Sequence, residues 1–163
     1  MIIERDLPLL GSRYVDSVRT NHPYGVRKAA VRFLQHGHTR VGAAFTDTPT
    51  SELIQDGWKQ IVDTILDSGV TAMLVHSDYL AIAIAQTLER RGKRVPDDIS
   101  MISVNGFATP SSRPLTVLRS SDKDLAEAAI NLLINRIQNP DSTTRHIYVD
   151  PTLTDRGSVI DKQ

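Results

Sequence analysis

Short apolar runs alternate with stretches of helical period along this chain, and that alternation predicts a parallel sheet covered by helices. Ile2–Glu4 and Tyr14–Val18 read as short strands joined by a Pro/Gly turn, the second alternating through Tyr14, Asp16 and Val18. Asn21 can cap a helix that tolerates Pro23 in its first turn, carries Val26, Ala29, Ala30, Phe33 and Leu34 on its apolar face and stops at Gly37. Val41–Phe45 follows as a strand, and a helix is expected from about Leu53 to Leu66, ended by Ser68 and Gly69.

The second half repeats the alternation with clearer punctuation. Thr71–His76 is a compact apolar strand, after which Ser77 or Asp78 can cap a helix with Leu80, Ile84 and Leu88 spaced four apart and Gly92 beyond its end. Pro96 opens a turn into the strand Ile99–Val104. Asn105–Pro114, rich in Gly, Pro and Ser, reads as a long loop. Leu115–Leu118 is a further strand, and Ser121 caps the best helix of the chain, with Leu125, Ala128, Ala129, Leu132, Leu133 and Ile137 on one face before Asn139 and Pro140. His146–Val149 and the region of Leu153 supply the last strand candidates.

Composition narrows the function classes. With 163 residues the chain can bury a core without cross-links, and its 19 basic and 19 acidic residues leave no positive field for non-specific contact with nucleic acid or anionic lipid. The absence of cysteine excludes disulfides, thiolate catalysis and cysteine-ligated zinc. His22, His36, His38, His76 and His146 lack metal-ligand spacing, so no metal is expected. The glycines form neither a phosphate loop nor a dinucleotide fingerprint, and Ser111 and Ser112 lack the glycine-flanked elbow of a hydrolase nucleophile. No catalytic residue and no cofactor are expected, and the reading is that the chain is not an enzyme. Glu4, Arg5 and Asp6 interrupt the N-terminal apolar residues, which argues against a signal peptide and for the cytoplasm.

Several segments in order resemble the regulatory core of LacI/GalR-type transcriptional repressors. They are GHTRVG at Gly37–Gly42 within the longer stretch from Val15, TAMLVHSDYLAIA from Thr71, RRGKRVPDDIS from Arg90, RPLTVLRSSDKDLAEAAINLL from Arg113 and HIYVDPTLTDRGS from His146, with IIERD near the start. The resemblance implies a type I periplasmic-binding-protein-like α/β fold: two Rossmann-like lobes joined by three crossovers, the N-terminal lobe incomplete. It also implies a sugar or related metabolite as effector in the cleft, a homodimer, and DNA binding only through a helix-turn-helix head that this sequence lacks. The expected partition is a partial N-terminal lobe over 1–46, a C-terminal lobe over 47–114, and a crossover strand, helix and final strands over 115–163. A dimer surface is expected from Tyr79 to Leu88 and from Phe107 to Leu118. Rival readings are a periplasmic-type sugar-binding protein and a small flavodoxin-like enzyme.

Four residues are candidate ligand contacts: Asn21, Trp58, Asp78 and Asn105. Asn105 ends a strand, where its amide could meet ligand hydroxyls or simply satisfy a turn. Trp58 could stack on a sugar or sit in a core. Asp78 could bind ligand or cap its helix. The resemblance also exposes two departures. Ile54, between Glu52 and Gln55, stands where the family commonly has an arginine, and Asn105 stands where it has an aspartate, so two usual clamping charges are lost or neutralised.

Overall fold

The computed structural model describes residues 2–3, 15–45, 57–104 and 114–162, with backbone alone for 2–3 and 57–59. Along the chain the elements are β1 (Ile2–Ile3), β2 (Ser17–Thr20), α1 (His22–Gln35), β3 (Val41–Ala44), α2 (Gly57–Ser68), β4 (Ala72–His76), α3 (Asp78–Arg90), β5 (Ser100–Val104), β6 (Thr116–Arg119), α4 (Asp122–Gln138), β7 (His146–Val149) and β8 (Thr152–Thr154). They form two units, 1–25 with 120–152 and 26–119 with 153–163, so the chain passes from one to the other three times. The expected boundary at 46 is displaced. β3 pairs in parallel with β4, Val41 opposite Ala72 through Ala44 opposite Val75, which ties this strand to the second unit.

The first unit holds a sheet of order β1-β2-β7 with parallel pairing throughout. α4 covers one face of it: Ala129 and Leu132 are buried against Val18, with Leu125, Ala128, Ile147 and Val149 around them. Ser121 caps α4 as expected, its hydroxyl accepting from the Asp124 amide at 3.2 Å. The predicted apolar face is narrower than expected, since Leu133 and Ile137 are exposed. At 100° per residue those two positions rotate away from the stripe that faces the sheet. β2 runs over Ser17–Thr20, later than the expected Tyr14–Val18, in register with His146–Val149. Its start is fixed by Asp16, whose carboxylate accepts two bonds from the Arg136 guanidinium at 2.9 Å and one from the Arg145 amide at 2.8 Å. Those donors, Arg136 first, stabilise the ionised carboxylate and hold Asp16 at a pKa of about 2.

The second unit is a three-layer sandwich around a sheet of order β3-β4-β5-β6-β8. Alternation of side chains decides which helix covers which face. Met73, Val75, Ile99, Met101 and Leu115 meet Val62 and Ile65 of α2 and Leu80, Ile84 and Leu88 of α3 on one side. Ala72, Leu74, Ile102, Val104 and Leu118 meet Ala29 and Phe33 of α1 on the other. Leu80, Ile84 and Leu88 are taken up by this core, as are Leu115, Val117 and Leu118, so the surface expected over Tyr79–Leu88 reduces largely to Tyr79, 65% exposed. Of the expected apolar face of α1 only Ala29 and Phe33 are buried, while Val26, Ala30 and Leu34 are exposed. Phe107 to Arg113 lie outside the described residues.

Candidate functional site

In open parallel sheets, ligands bind beyond the carboxyl ends of the strands, because helix N-termini and loop side chains converge there. The two candidate residues with described side chains both lie at such ends, one in each unit. Asn21 follows β2 directly. Its side-chain carbonyl accepts from the Tyr24 amide at 3.3 Å, which is the expected cap of α1, and its side-chain amide donates to the Asp150 carboxylate at 2.7 Å. Asp150 in turn follows β7, the partner strand of β2. Asn21 and Asp150 thus form a polar pair across adjacent strand ends.

Asp78 opens α3, just beyond β4. The position is right for a cap but the bonding is different: Ser77 is the N-cap residue and makes no side-chain capping bond, while the Asp78 carboxylate accepts from the Ser103 hydroxyl of β5. Both are buried, Asp78 at 9% exposure and Ser103 at 0%. A carboxylate at the first turn of a helix is stabilised by the helix dipole, and a hydroxyl donor fixes its rotamer. Val75 lies opposite Ser103 in the β4–β5 register, so this pair belongs to the face covered by α3.

Trp58 stands in the first turn of α2 and its side chain is outside the described residues; Asn105 directly follows β5 and is outside them altogether. Ile54 is outside them as well. Among the described residues there is no group of three or more metal-ligating side chains. No described helix is long and apolar enough to cross a membrane.

One aromatic pair at the same edge was not singled out by sequence reasoning. Phe45 follows β3 and His76 ends β4, and their rings stack with centroids 6.3 Å apart and planes 30° from parallel. The β3–β4 register, extended by one residue, puts the two side by side. Only that register reveals them, since they lie thirty-one positions apart in sequence.

The opposite edge of the second unit is built differently. A cavity of about 490 Å³ lies there, lined by residues that include His38, Thr71, Asp98, Ile160 and Lys162. Several of its polar groups are tied to one another. The His38 Nε2 donates to the Ile160 carbonyl at 2.9 Å, which leaves Nδ1 to accept from the Thr71 hydroxyl at 3.0 Å. Burial of that ring lowers its pKa below the ordinary 6.5. Asp98 accepts from the Arg94 amide at 2.8 Å and from Lys93 at 3.2 Å. Arg94 also pairs with Asp97 at 3.2 Å. Most of the polar groups in its walls already have partners, so they offer a ligand little that burial has left unsatisfied. The strand carboxyl ends therefore carry the better candidate site.

Residues 27–159 match the periplasmic binding protein-like domain family. Among curated relatives, the HTH-type transcriptional repressor PurR of Photobacterium profundum is 26% identical over 194 aligned positions, covering 96% of this chain and 58% of that protein. The HTH-type transcriptional regulator GanR of Bacillus subtilis is 29% identical over 111, covering 65% of this chain and 34% of the regulator. The chain thus spans between about a third and three-fifths of the length of these relatives. Among solved structures, a LacI family transcriptional regulator from Enterococcus faecium with bound ribose superposes with a TM-score of 0.76 at 23% identity, over 92% of this chain and 67% of that one. The likeness at that identity is one of fold. With the family match extending over most of the chain and both units built as parallel sheets under helices, the chain belongs to the periplasmic binding protein-like domain family.

Proposed function

We propose that this chain is the effector-sensing core of a LacI-type transcriptional regulator, binding a sugar or related small metabolite at the carboxyl ends of its parallel strands. The observation that carries the reading is the placement of polar side chains at those ends in both units, Asn21 with Asp150 and Asp78 with Ser103, in a chain of this family. Asn21 and Asp150 are paired with each other through groups that match a sugar hydroxyl, which can donate to the carboxylate and accept from the amide in their place. Asp78, held by Ser103, supplies an oriented acceptor; Trp58 and Asn105 complete the proposed contacts, the first by stacking and the second through its amide.

In this reading the core acts without catalysis. Effector binding shifts a conformational equilibrium by differential affinity, and a homodimer passes the change on to DNA binding. The PurR, GanR and ribose-bound relatives support a regulator over a transport protein or an enzyme. Thermal-shift screening of the chain against ribose, cellobiose, purine nucleosides and acyclic polyols tests the proposal. A true effector at a hundred times its Kd stabilises by about 2.7 kcal/mol, which raises Tm by roughly 5–10 °C for a chain of this size. A flat response to the whole panel, including at millimolar concentration, counts against effector sensing by this chain.

A further inference from the structure

We propose that α4 carries a second apolar stripe, turned away from its own sheet, through which two copies of this chain pair as a short parallel coiled coil. The pairing stands apart from effector sensing, since it uses neither the strand carboxyl ends nor the surface expected over Tyr79–Leu88.

The stripe is separate from the buried face of the same helix. Leu125, Ala128, Ala129 and Leu132 pack with Val18, Ile147 and Val149 of the sheet, Ala129 and Leu132 being 3% exposed. Ile130, Leu133, Ile134 and Ile137 are 56%, 43%, 47% and 71% exposed. At 100° per residue the second group centres roughly 140° around the helix from the first, so no tilt of α4 on its sheet buries both. Asp124, Asn131, Asn135 and Gln138 occupy the arc between them. The solvent side of a surface helix is ordinarily polar. Four aliphatic side chains on one stripe instead make a patch on the order of a few hundred Å², the size of the apolar patches that soluble proteins use for binding.

The spacing names the partner. Ala126, Ile130, Leu133 and Ile137 stand four, three and four residues apart, the repeat of a coiled-coil seam, which packs against another helix. Ile130 and Ile137 take its a positions and Leu133 the d position between them, and β-branched residues at a with leucine at d favour two parallel strands. A second copy supplies such a helix with the same residues in the same order. Lys123 falls on the preceding a position, where a single lysine fixes the register at a cost in strength. It pairs with Glu127 at 3.7 Å, and its charge offsets Asp122 and Glu127, which flank the seam and approach one another across a parallel pair. With 17 residues in α4 the seam is short. Its area falls below the roughly 800 Å² per partner of a standard interface, and the expected dissociation constant is about 10–100 µM.

Analytical ultracentrifugation of the chain from about 1 to 300 µM, repeated for Ile130→Glu and Ile137→Glu, tests the seam. The parent is expected to pass from monomer to dimer, and each variant to associate at least about tenfold more weakly. Glutamate is a good helix former and both sites are exposed, so unfolding midpoints read where the parent is monomeric should match, which separates a lost contact from a damaged fold. The chain has no cysteine, so a single one reports the direction of the pair. Ile137→Cys should be joined to its own counterpart by a short bis-maleimide, while Asn131→Cys, on the polar arc, should not. A chain that stays monomeric throughout, or cross-linking through Asn131→Cys but not through Ile137→Cys, overturns the seam. A dimer that both glutamate variants leave intact also overturns it, while keeping the homodimer of the regulator reading on another surface.

Discussion

The two edges of the second unit's sheet are finished in opposite ways. At the amino edge, His38, Thr71, Ser100, Ser158 and Ile160 close on one another: Ser158 donates to the Met101 carbonyl and accepts from the Thr116 amide, and Ser100 accepts from the Ile160 amide at 3.1 Å. Three strands and the C-terminal segment are sewn together there by buried bonds. At the carboxyl edge the Phe45 ring is left 60% exposed. Orphaning a buried polar group is strongly destabilising, whereas changing an exposed side chain costs little. The contrast teaches that the amino edge holds the fold and the carboxyl edge is available for binding, even though a cavity of about 490 Å³ lies at the former.

Variants can sharpen or break this division, and chemical unfolding at neutral pH reads them. The largest effect is expected for Phe33→Ala, which empties a fully buried site in α1 beside the His38 ring and should cost on the order of 3–5 kcal/mol. His38→Ala removes the bonds to Thr71 and to the Ile160 carbonyl, which keeps only the long contact from the Ser100 hydroxyl at 3.5 Å, an expected loss of about 2–3 kcal/mol. Ser158→Ala should follow at about 1–2 kcal/mol, since an amide and a carbonyl both lose a partner. Phe45→Ala should change stability by less than about 0.5 kcal/mol. Equal losses at His38 and Phe45 would erase the distinction between the edges.

Acid should attack the amino edge first. Burial holds the folded-state pKa of His38 below 6.5, so as pH falls below 6.5 the unfolded chain takes up a proton that the folded chain resists. Stability contributed by the neutral ring is complete above 6.5 and declines as pH drops toward the lowered value. The unfolding midpoint should therefore fall between neutral pH and about pH 5, and His38→Gln should flatten that part of the curve. Asp16, held at about 2 by Arg136, acts in a separate window: its contribution is present above the ordinary carboxylate range and is lost between about pH 4 and pH 2.

Much of the fold was legible in the sequence because its signals are local. Ser121 three residues before Asp124, and Leu80, Ile84 and Leu88 at helical spacing, announce α4 and α3 without reference to anything distant. Asn21 and Asp78 were legible as helix-start residues for the same reason. The division into units was not. Its first crossing falls at Gly25–Val26 inside α1, where the helix runs on and no linker composition marks the passage. The amino-edge closure joins His38 to Ile160 across most of the chain, and the Phe45–His76 stack depends on a strand register that hydrophobic pattern does not supply. Asp78 was in the right place for a cap, yet its partner, Ser103, comes from another strand.

Hydrogen exchange with and without the tightest-binding member of the ligand panel tests the central claim most directly. Slowed exchange in the segments that follow β2, β3 and β4, around Asn21–Gly25, Phe45 and Ser77–Leu80, with the amides of His38, Thr71 and Ile160 unchanged, is the result predicted for an effector core that binds at its strand carboxyl ends. Protection confined to the His38–Thr71–Ile160 edge would contradict it.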